Sequence, residues 1–277
     1  MDKTTLDEIH LLDEASLDAI TRQLPEGYYS TFRTYDGCTR VIGLTAHLRR
    51  LPNVDAALLR RNLLPLLEPY RTCEARIRVM MTKQGQLYAS IEPLKPLSHE
   101  VYENGVCVET TEIQRASPRE KSTAFISESD GERRHIIQAG MFEALLVKNG
   151  RILEGMTSNF FYIRAERSKE RFSRRAKSKR AQREVILYTA QRDILLGVTR
   201  RTVIRVARGR GVDVKYQPLK LDQLQSVEEA FITSSSRGIV PVIQIDETRV
   251  GRGRVGGITK ELMAAYDDYV LKHAEKI

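Results

Sequence analysis

Asn149-Gly150 stands between two apolar runs, EALLV at 143–147 and RILEG at 151–155. A two-residue hairpin of the favoured type needs left-handed backbone at both central residues, and Asn-Gly takes that conformation at the least cost. The second half of the chain must therefore contain an antiparallel hairpin. Similar signals recur earlier. YYSTFRTY (28–35) and CTRVIGL (38–44) flank Asp36-Gly37, and RIRVMM (76–81) and QLYASIEPL (86–94) flank Lys83-Gln84-Gly85. Pro25-Glu26-Gly27 reads as a turn before the first of these strands.

Helical stretches interleave with the strands. Thr45 is placed to cap AHLRRL before Pro52, and a second helix covers about 55–67. The first half ends with an extended run at 106–111, and Ser117-Pro118-Arg119 reads as a linker. The second half adds a helix around 135–140, strands at 160–163 and 185–188, and a helical RRTVIRVARGRG behind Gly197-Val198-Thr199. VDVKYQPL is extended and LDQLQSV short and helical. AFIT and PVIQID complete the strands, and Thr259 is placed to cap the terminal amphipathic helix. There is no strict βαβ alternation, so the pattern favours an α+β chain of two α/β halves over a doubly wound sheet. The expected domains are 1–118 and 119–277.

The net charge of +9 over 277 residues invites a nucleic-acid reading, but it is concentrated. Between 164 and 183 ten basic residues face only Glu166 and Glu170, leaving a charge of about +1 on the rest of the chain. The ordinary reading is a solvated insertion between two strands, and the functional one an electrostatic arm for a polyanion. The acidic, amphipathic N-terminus lacks the basic and apolar regions of a secretory signal. No run approaches the ~18 apolar residues of a membrane helix. Cys38, Cys73 and Cys107 are odd in number and far apart, which speaks against a disulfide framework and fits a reducing cytoplasm. The five histidines show no metal-ligand spacing, so no metal is expected. Gly251, Gly253 and Gly256 spell GxGxxG, but no βαβ unit can follow so near the end; a turn into the last helix is the better reading.

Four local runs carry chemistry together. The stretch 154–161, EGMTSNFF, places a carboxylate among small polar residues. In LLGVTR (195–200), backbone amides at a helix start can bind phosphate. The run TSSS (233–236) offers hydroxyls and amides at a strand end, and HLRRL (47–51) offers a guanidinium for bidentate phosphate contact.

In this order and spacing, HLRRL, LEGMTSNFF, ILLGVTR and FITSSSRGIVPVIQID resemble the class IV aminotransferases. These are fold-type IV enzymes using pyridoxal 5′-phosphate (PLP), and they include branched-chain and D-amino acid aminotransferases and aminodeoxychorismate lyases. The resemblance runs from about Gly27 to the C-terminal helix. It implies a D-amino acid aminotransferase-like fold with PLP between the two domains. It makes Lys121, about 33 residues before Glu154, the Schiff-base lysine. A lysine in that role must lose its proton, which burial beside cations favours. By the same resemblance Glu154 pairs with the pyridinium nitrogen. Arg50, Val198, Thr199, Ser234 and Ser235 hold the phosphate, and Ser158 and Asn159 line the other side of the cofactor. Tyr29 lies near the substrate. Arg76 and Arg78 alternate on a strand, so either can hold a substrate carboxylate or form a structural ion pair.

The resemblance implies amino acid and keto acid substrates, and a homodimer, because the family completes its site from the neighbouring subunit. Some positions depart from the pattern. Leu24-Pro25-Glu26-Gly27 replaces the usual Gly-Asp-Gly, Ile126 stands where branched-chain enzymes have tyrosine, and REKSTAFISE lacks the asparagine of several relatives. The expected activity is transamination. The alternatives are a lyase of the aminodeoxychorismate type, releasing pyruvate by β-elimination, and a non-catalytic polyanion binder using the basic insertion.

Overall fold

The computed structural model describes residues 6–11, 16–52, 54–167 and 183–277. Most of the basic segment at 164–183, and with it the reading of that segment as an arm, lies outside the described residues. Its edges continue two strands. In chain order the strands are β1 (Leu6–Leu11), β2 (Gly27–Tyr35), β3 (Arg40–Val41), β4 (Ala75–Thr82), β5 (Leu87–Pro93), β6 (Val106–Thr111), β7 (Ala144–Lys148) and β8 (Arg151–Gly155). They continue as β9 (Asn159–Arg167), β10 (Arg183–Thr189), β11 (Asp213–Tyr216), β12 (Leu219–Lys220), β13 (Glu229–Ser234), β14 (Gly238–Ile245), β15 (Thr248–Arg249) and β16 (Glu275–Lys276).

The strands form two sheets. One has six strands in the order β1-β5-β4-β2-β3-β16; the other has ten, led by β11-β10-β9-β13-β14-β6-β7-β8-β12. The sheets do not divide the chain at the Ser117-Pro118-Arg119 linker. Strand β6 already pairs with β14 and β7, and β16 returns from the C-terminus to β3. Local pattern identifies a strand but not its partner, which is why the linker looks like the boundary in sequence.

The Asn149-Gly150 turn forms as its sequence requires, with φ of 52° and 67°. It joins β7 to β8 and so delivers Glu154 near the end of a short, fixed strand. Strand β9 reads as a continuous apolar run because both its faces are covered. Phe160 and Tyr162 join one core cluster and Phe161 and Ile163 another. The second cluster is closed by two helices, Val198–Gly209 and Gly257–His273, through Val203, Ile204, Leu262 and Tyr266. Each buried aliphatic side chain among these contributes about 1.5–3 kcal/mol. That packing fixes where the first turn of the helix Val198–Gly209 points.

Two caps differ from their sequence expectation. The helix Leu44–Leu48 starts after Gly43, in the left-handed region at φ 65°, so Thr45 lies inside it. The terminal helix starts after Gly256, and Thr259 is inside its first turn. The carboxylate of Glu229, on β13, accepts from the Thr259 amide and hydroxyl, both at 2.7 Å. A distant carboxylate thus fills the role that the sequence assigns to a local hydroxyl. Gly251 and Gly253 lie in the turn before this helix with φ of 54° and 67°.

Candidate active site

The two sheets face each other across a cavity of about 560 Å³. Lys121, Glu154, Arg50, Val198, Thr199, Ser234, Ser235, Ser158, Asn159, Tyr29, Arg76 and Arg78 all line it. The fold therefore brings together every residue singled out in the sequence, but it uses them in different ways.

Lys121 is fixed by the backbone on either side of it. The amide of Tyr29 donates to the Lys121 carbonyl at 2.9 Å, and the amide of Thr123 to the Gly27 carbonyl at 2.9 Å. The segment after the linker is thus stitched onto β2. The Lys121 amine lies 4.7 Å from the centroid of the Tyr29 ring. Burial holds the amine well below the ordinary lysine range, and the guanidinium groups of Arg50, Arg78, Arg115 and Arg76 add to the effect.

Glu154 is 2 % exposed. Its Oε2 accepts from the Leu195 amide at 3.0 Å and from Asn159 Nδ2 at 3.1 Å; its Oε1 accepts from Arg115 Nε at 3.2 Å. A carboxylate offers about four acceptor sites, so one remains, on Oε1. Burial raises its pKa from 4.5 to about 7, against the pull of Arg115. Asn159 also donates to the Leu195 carbonyl at 2.7 Å, so it braces the carboxylate and the loop before the helix. Gly197 allows this approach, since a Cβ there would sit 2.1 Å from Asn159 Oδ1.

A second group of lining residues consists of donors. Gly197 precedes the helix Val198–Gly209, whose first amides lack intrahelical partners. Thr199 Oγ1 lies 3.5 Å from Ser235 Oγ. Arg50 donates to the Leu196 carbonyl at 2.8 Å, and burial and Arg201 lower its pKa to about 10. Thr233 Oγ1 is buried without a hydrogen-bond partner. Helix amides, hydroxyls and a guanidinium lining the same cavity fit a phosphate.

The two strand arginines are already engaged. Arg78, 4 % exposed, donates to Thr31 Oγ1, the Leu17 carbonyl, Thr21 Oγ1 and Asp18 Oδ1 at 2.7–3.2 Å, and stacks 4.5 Å from the Tyr29 centroid. Four of its five N–H groups thus hold the helix Leu17–Thr21 and its strand neighbour. Arg76 pairs with Glu92 at 2.7 Å, and its Nε is buried without a partner. Ile126 is buried against Tyr29 and Met80.

Sequence reasoning missed three residues. Arg115 holds Glu154 and also donates to the Met156 carbonyl. Glu143, 3 % exposed, accepts from the Thr157 amide at 2.6 Å, the Ser158 hydroxyl at 3.1 Å and Arg237 at 3.0 Å. Arg237 reaches back to Thr157 Oγ1 at 2.6 Å and Ser234 Oγ at 3.0 Å. Ser158 therefore serves Glu143 as well as lining the cavity. The signal was Gly155, where a Cβ would meet Glu143 Oε1 at 2.7 Å. A glycine next to a buried carboxylate marks a second chain segment passing close.

The sequence pattern of the family described as Amino-transferase class IV matches residues 27–245, and the chain belongs to that family. Members use PLP, and the residues lining the cavity fit it: donors suited to phosphate, a carboxylate with one open acceptor site, and a buried lysine. Over 91% of this chain and 90% of the relative, it is 27% identical to a protein provisionally named as a branched-chain-amino-acid aminotransferase of Methanocaldococcus jannaschii. It is 27% identical to the D-alanine aminotransferase of Bacillus licheniformis over 50% of this chain and 43% of that one. For the branched-chain-amino-acid aminotransferase of Escherichia coli K12 the identity is 28% over 61% and 52%. The match thus spans about half the length of the last two. Among solved structures, the fold is that of the branched-chain amino acid aminotransferase of Escherichia coli, at TM-score 0.64 and 22% identity over 91% of this chain and 87% of that one. A hypothetical aminotransferase from Mycobacterium tuberculosis in its PLP-bound form gives 0.73 at 18% identity over 94% of each chain.

Proposed function

We propose that the protein moves an amino group from an amino acid to a 2-keto acid with PLP held between its two sheets, Lys121 being the residue that engages the cofactor. The observation that supports this reading is that one cavity is lined by the buried Lys121 amine, by Glu154 with an open acceptor site, and by the Thr199–Ser235 hydroxyl pair with Arg50. When bound, PLP supplies an electrophilic aldehyde and an electron-accepting ring. Arg50, the amides of Val198 and Thr199, and the hydroxyls of Ser234 and Ser235 hold its phosphate. Glu154 keeps a proton on the ring nitrogen, and Asn159 and Arg115 fix the direction of that carboxylate. Lys121, whose amine is held well below the ordinary lysine range by burial and by the neighbouring guanidinium groups, would supply the nucleophile that engages the cofactor. The same amine, when not joined to the cofactor, would serve as the base and acid that moves the Cα proton of the substrate. Tyr29 confines that movement from one side. Arg76 is the guanidinium better placed to meet a substrate carboxylate, since among the described residues it pairs with Glu92 alone and keeps Nε without a partner, whereas Arg78 has four of its N–H groups taken. The names of the relatives favour transfer over the lyase alternative.

The working form is a homodimer in the cytoplasm, with the two sheet units as its domains. The family resemblance supports the dimer, and the free thiols of Cys38, Cys73 and Cys107 support the compartment. Among the described residues no helix is long and apolar enough to cross a membrane. The test is the visible absorption of the purified protein. A donor amino acid should bleach the cofactor band and a keto acid restore it. A band that no amino acid alters, in either stereochemical series, rejects transamination.

A further inference from the structure

A second concave site lies outside the cavity, on the exposed face of the helix Val198–Gly209. It has a volume of about 430 Å³ and is lined by Arg200, Arg201, Arg205, Arg208, Gln191 and Tyr216, with no carboxylate among its described lining residues. Up to Arg208, every exposed position of this helix is an arginine: 201, 205 and 208. Those positions are four and three residues apart, so the guanidinium groups are neighbours on one face. Like charges so placed cost an isolated helix about 0.2–0.5 kcal/mol per pair. Elsewhere cavity arginines meet carboxylates, Arg76 with Glu92, Arg78 with Asp18, Arg115 with Glu154 and Arg237 with Glu143, while Arg50, assigned to the cofactor phosphate, meets a backbone carbonyl. Here the contacts are neutral. Arg205 donates to the Tyr269 hydroxyl at 2.7 Å and Arg208 to the Tyr216 hydroxyl at 3.3 Å. Arg200, beneath them, donates to the Ala190 carbonyl and to Gln191 Oε1, and its Nε is buried without a partner.

The aromatic partner narrows the ligand. Tyr216 is 45 % exposed at the end of the edge strand β11. The guanidinium carbons of Arg200 and Arg208 lie 5.6 Å and 5.9 Å from its ring centroid. An exposed ring beside a row of arginines offers stacking for a flat heterocycle and charge for its phosphates. The volume lies in the range of small-molecule sites.

We propose that this groove binds a small molecule carrying phosphate on an aromatic heterocycle, with the ring on Tyr216 and the phosphate on Arg201, Arg205 and Arg208. A nucleoside diphosphate and a second molecule of PLP share that chemistry, and the test separates them. Titration calorimetry of the PLP-saturated enzyme at about 50 mM salt, where surface charge is weakly screened, would use ADP, PLP, adenosine and pyrophosphate in turn. ADP or a further equivalent of PLP should bind saturably, and the one that does identifies the source. Pyrophosphate and adenosine should each bind more weakly. The double variant Arg205→Gln, Arg208→Gln keeps helix propensity and should weaken binding at least about tenfold, with transamination unchanged. The cofactor absorption of the variant checks that it folds. Absence of saturable binding by both ligands, equal binding by the variant, or pyrophosphate binding as tightly as ADP would each overturn the proposal.

Discussion

The two walls of the cavity are built on different principles. The wall from the ten-stranded sheet is made of short sequence runs whose residues act where they lie. Glu154 and Asn159 flank one tight turn, Val198 and Thr199 open one helix, and Thr233, Ser234 and Ser235 end one strand. The wall from the six-stranded sheet is made of long-range commitments. Arg78 on β4 serves the helix Leu17–Thr21, Arg76 serves Glu92 on β5, and Lys121 is held by β2. The difference teaches that a guanidinium in a pocket is not yet a ligand site. Its existing partners decide what it can still hold.

The largest expected effect lies at Lys121, the one residue of the six-stranded wall assigned to the chemistry. Lys121→Ala should lower turnover by about 10⁴-fold, since nucleophile and base are lost together. A coupled keto acid assay reads this, and a loss under about tenfold would place the chemistry elsewhere. Next comes the ten-stranded wall. Glu154→Gln keeps shape but cannot carry the counter-charge to a protonated ring, and should cost about 10²–10³ in turnover.

The other wall should respond in stability. Arg78→Gln leaves Asp18 short of its main cation and should cost about 3 kcal/mol in denaturant unfolding. Arg76→Gln, at a more exposed pair, should cost about 1 kcal/mol or less and act on the KM for the amino acid instead. Equal losses of stability at the two sites would erase the distinction between them.

A titration sharpens the same contrast. In the cofactor-free protein Glu154 keeps its proton up to about pH 7, whereas an unburied glutamate releases it near 4.5. Between those values the native state binds more protons than the unfolded chain, so stability falls as pH rises. The whole loss is at most about 3 kcal/mol, and Glu154→Gln should remove it. Unfolding curves of both proteins across about pH 4–8 check the sign.

The ten-stranded wall was legible in the sequence because its residues are contiguous. LEGMTSNFF, LLGVTR and TSSS each bring their cavity-lining residues together within one turn, helix start or strand end. Arg115, Glu143 and Arg237 were not legible. Each acts through a partner 39 or 94 residues away, a contact that spacing does not encode and that only Gly155, by leaving room for Glu143, hints at. The same cause hides the capping at Thr259, where the carboxylate comes from Glu229, 30 residues away, whereas Thr45 yields to the adjacent left-handed Gly43. The Asn149-Gly150 hairpin was readable because its backbone constraint is local.

The central claim is that Lys121 is the lysine covalently joined to the cofactor. Borohydride reduction of the PLP-bound enzyme, followed by digestion and mass spectrometry, would fix that linkage and locate it. The phosphopyridoxyl mass should fall on the peptide containing Lys121 alone. Its appearance on Lys83 or Lys148, or on no lysine of a protein that retains the yellow cofactor, would contradict the assignment.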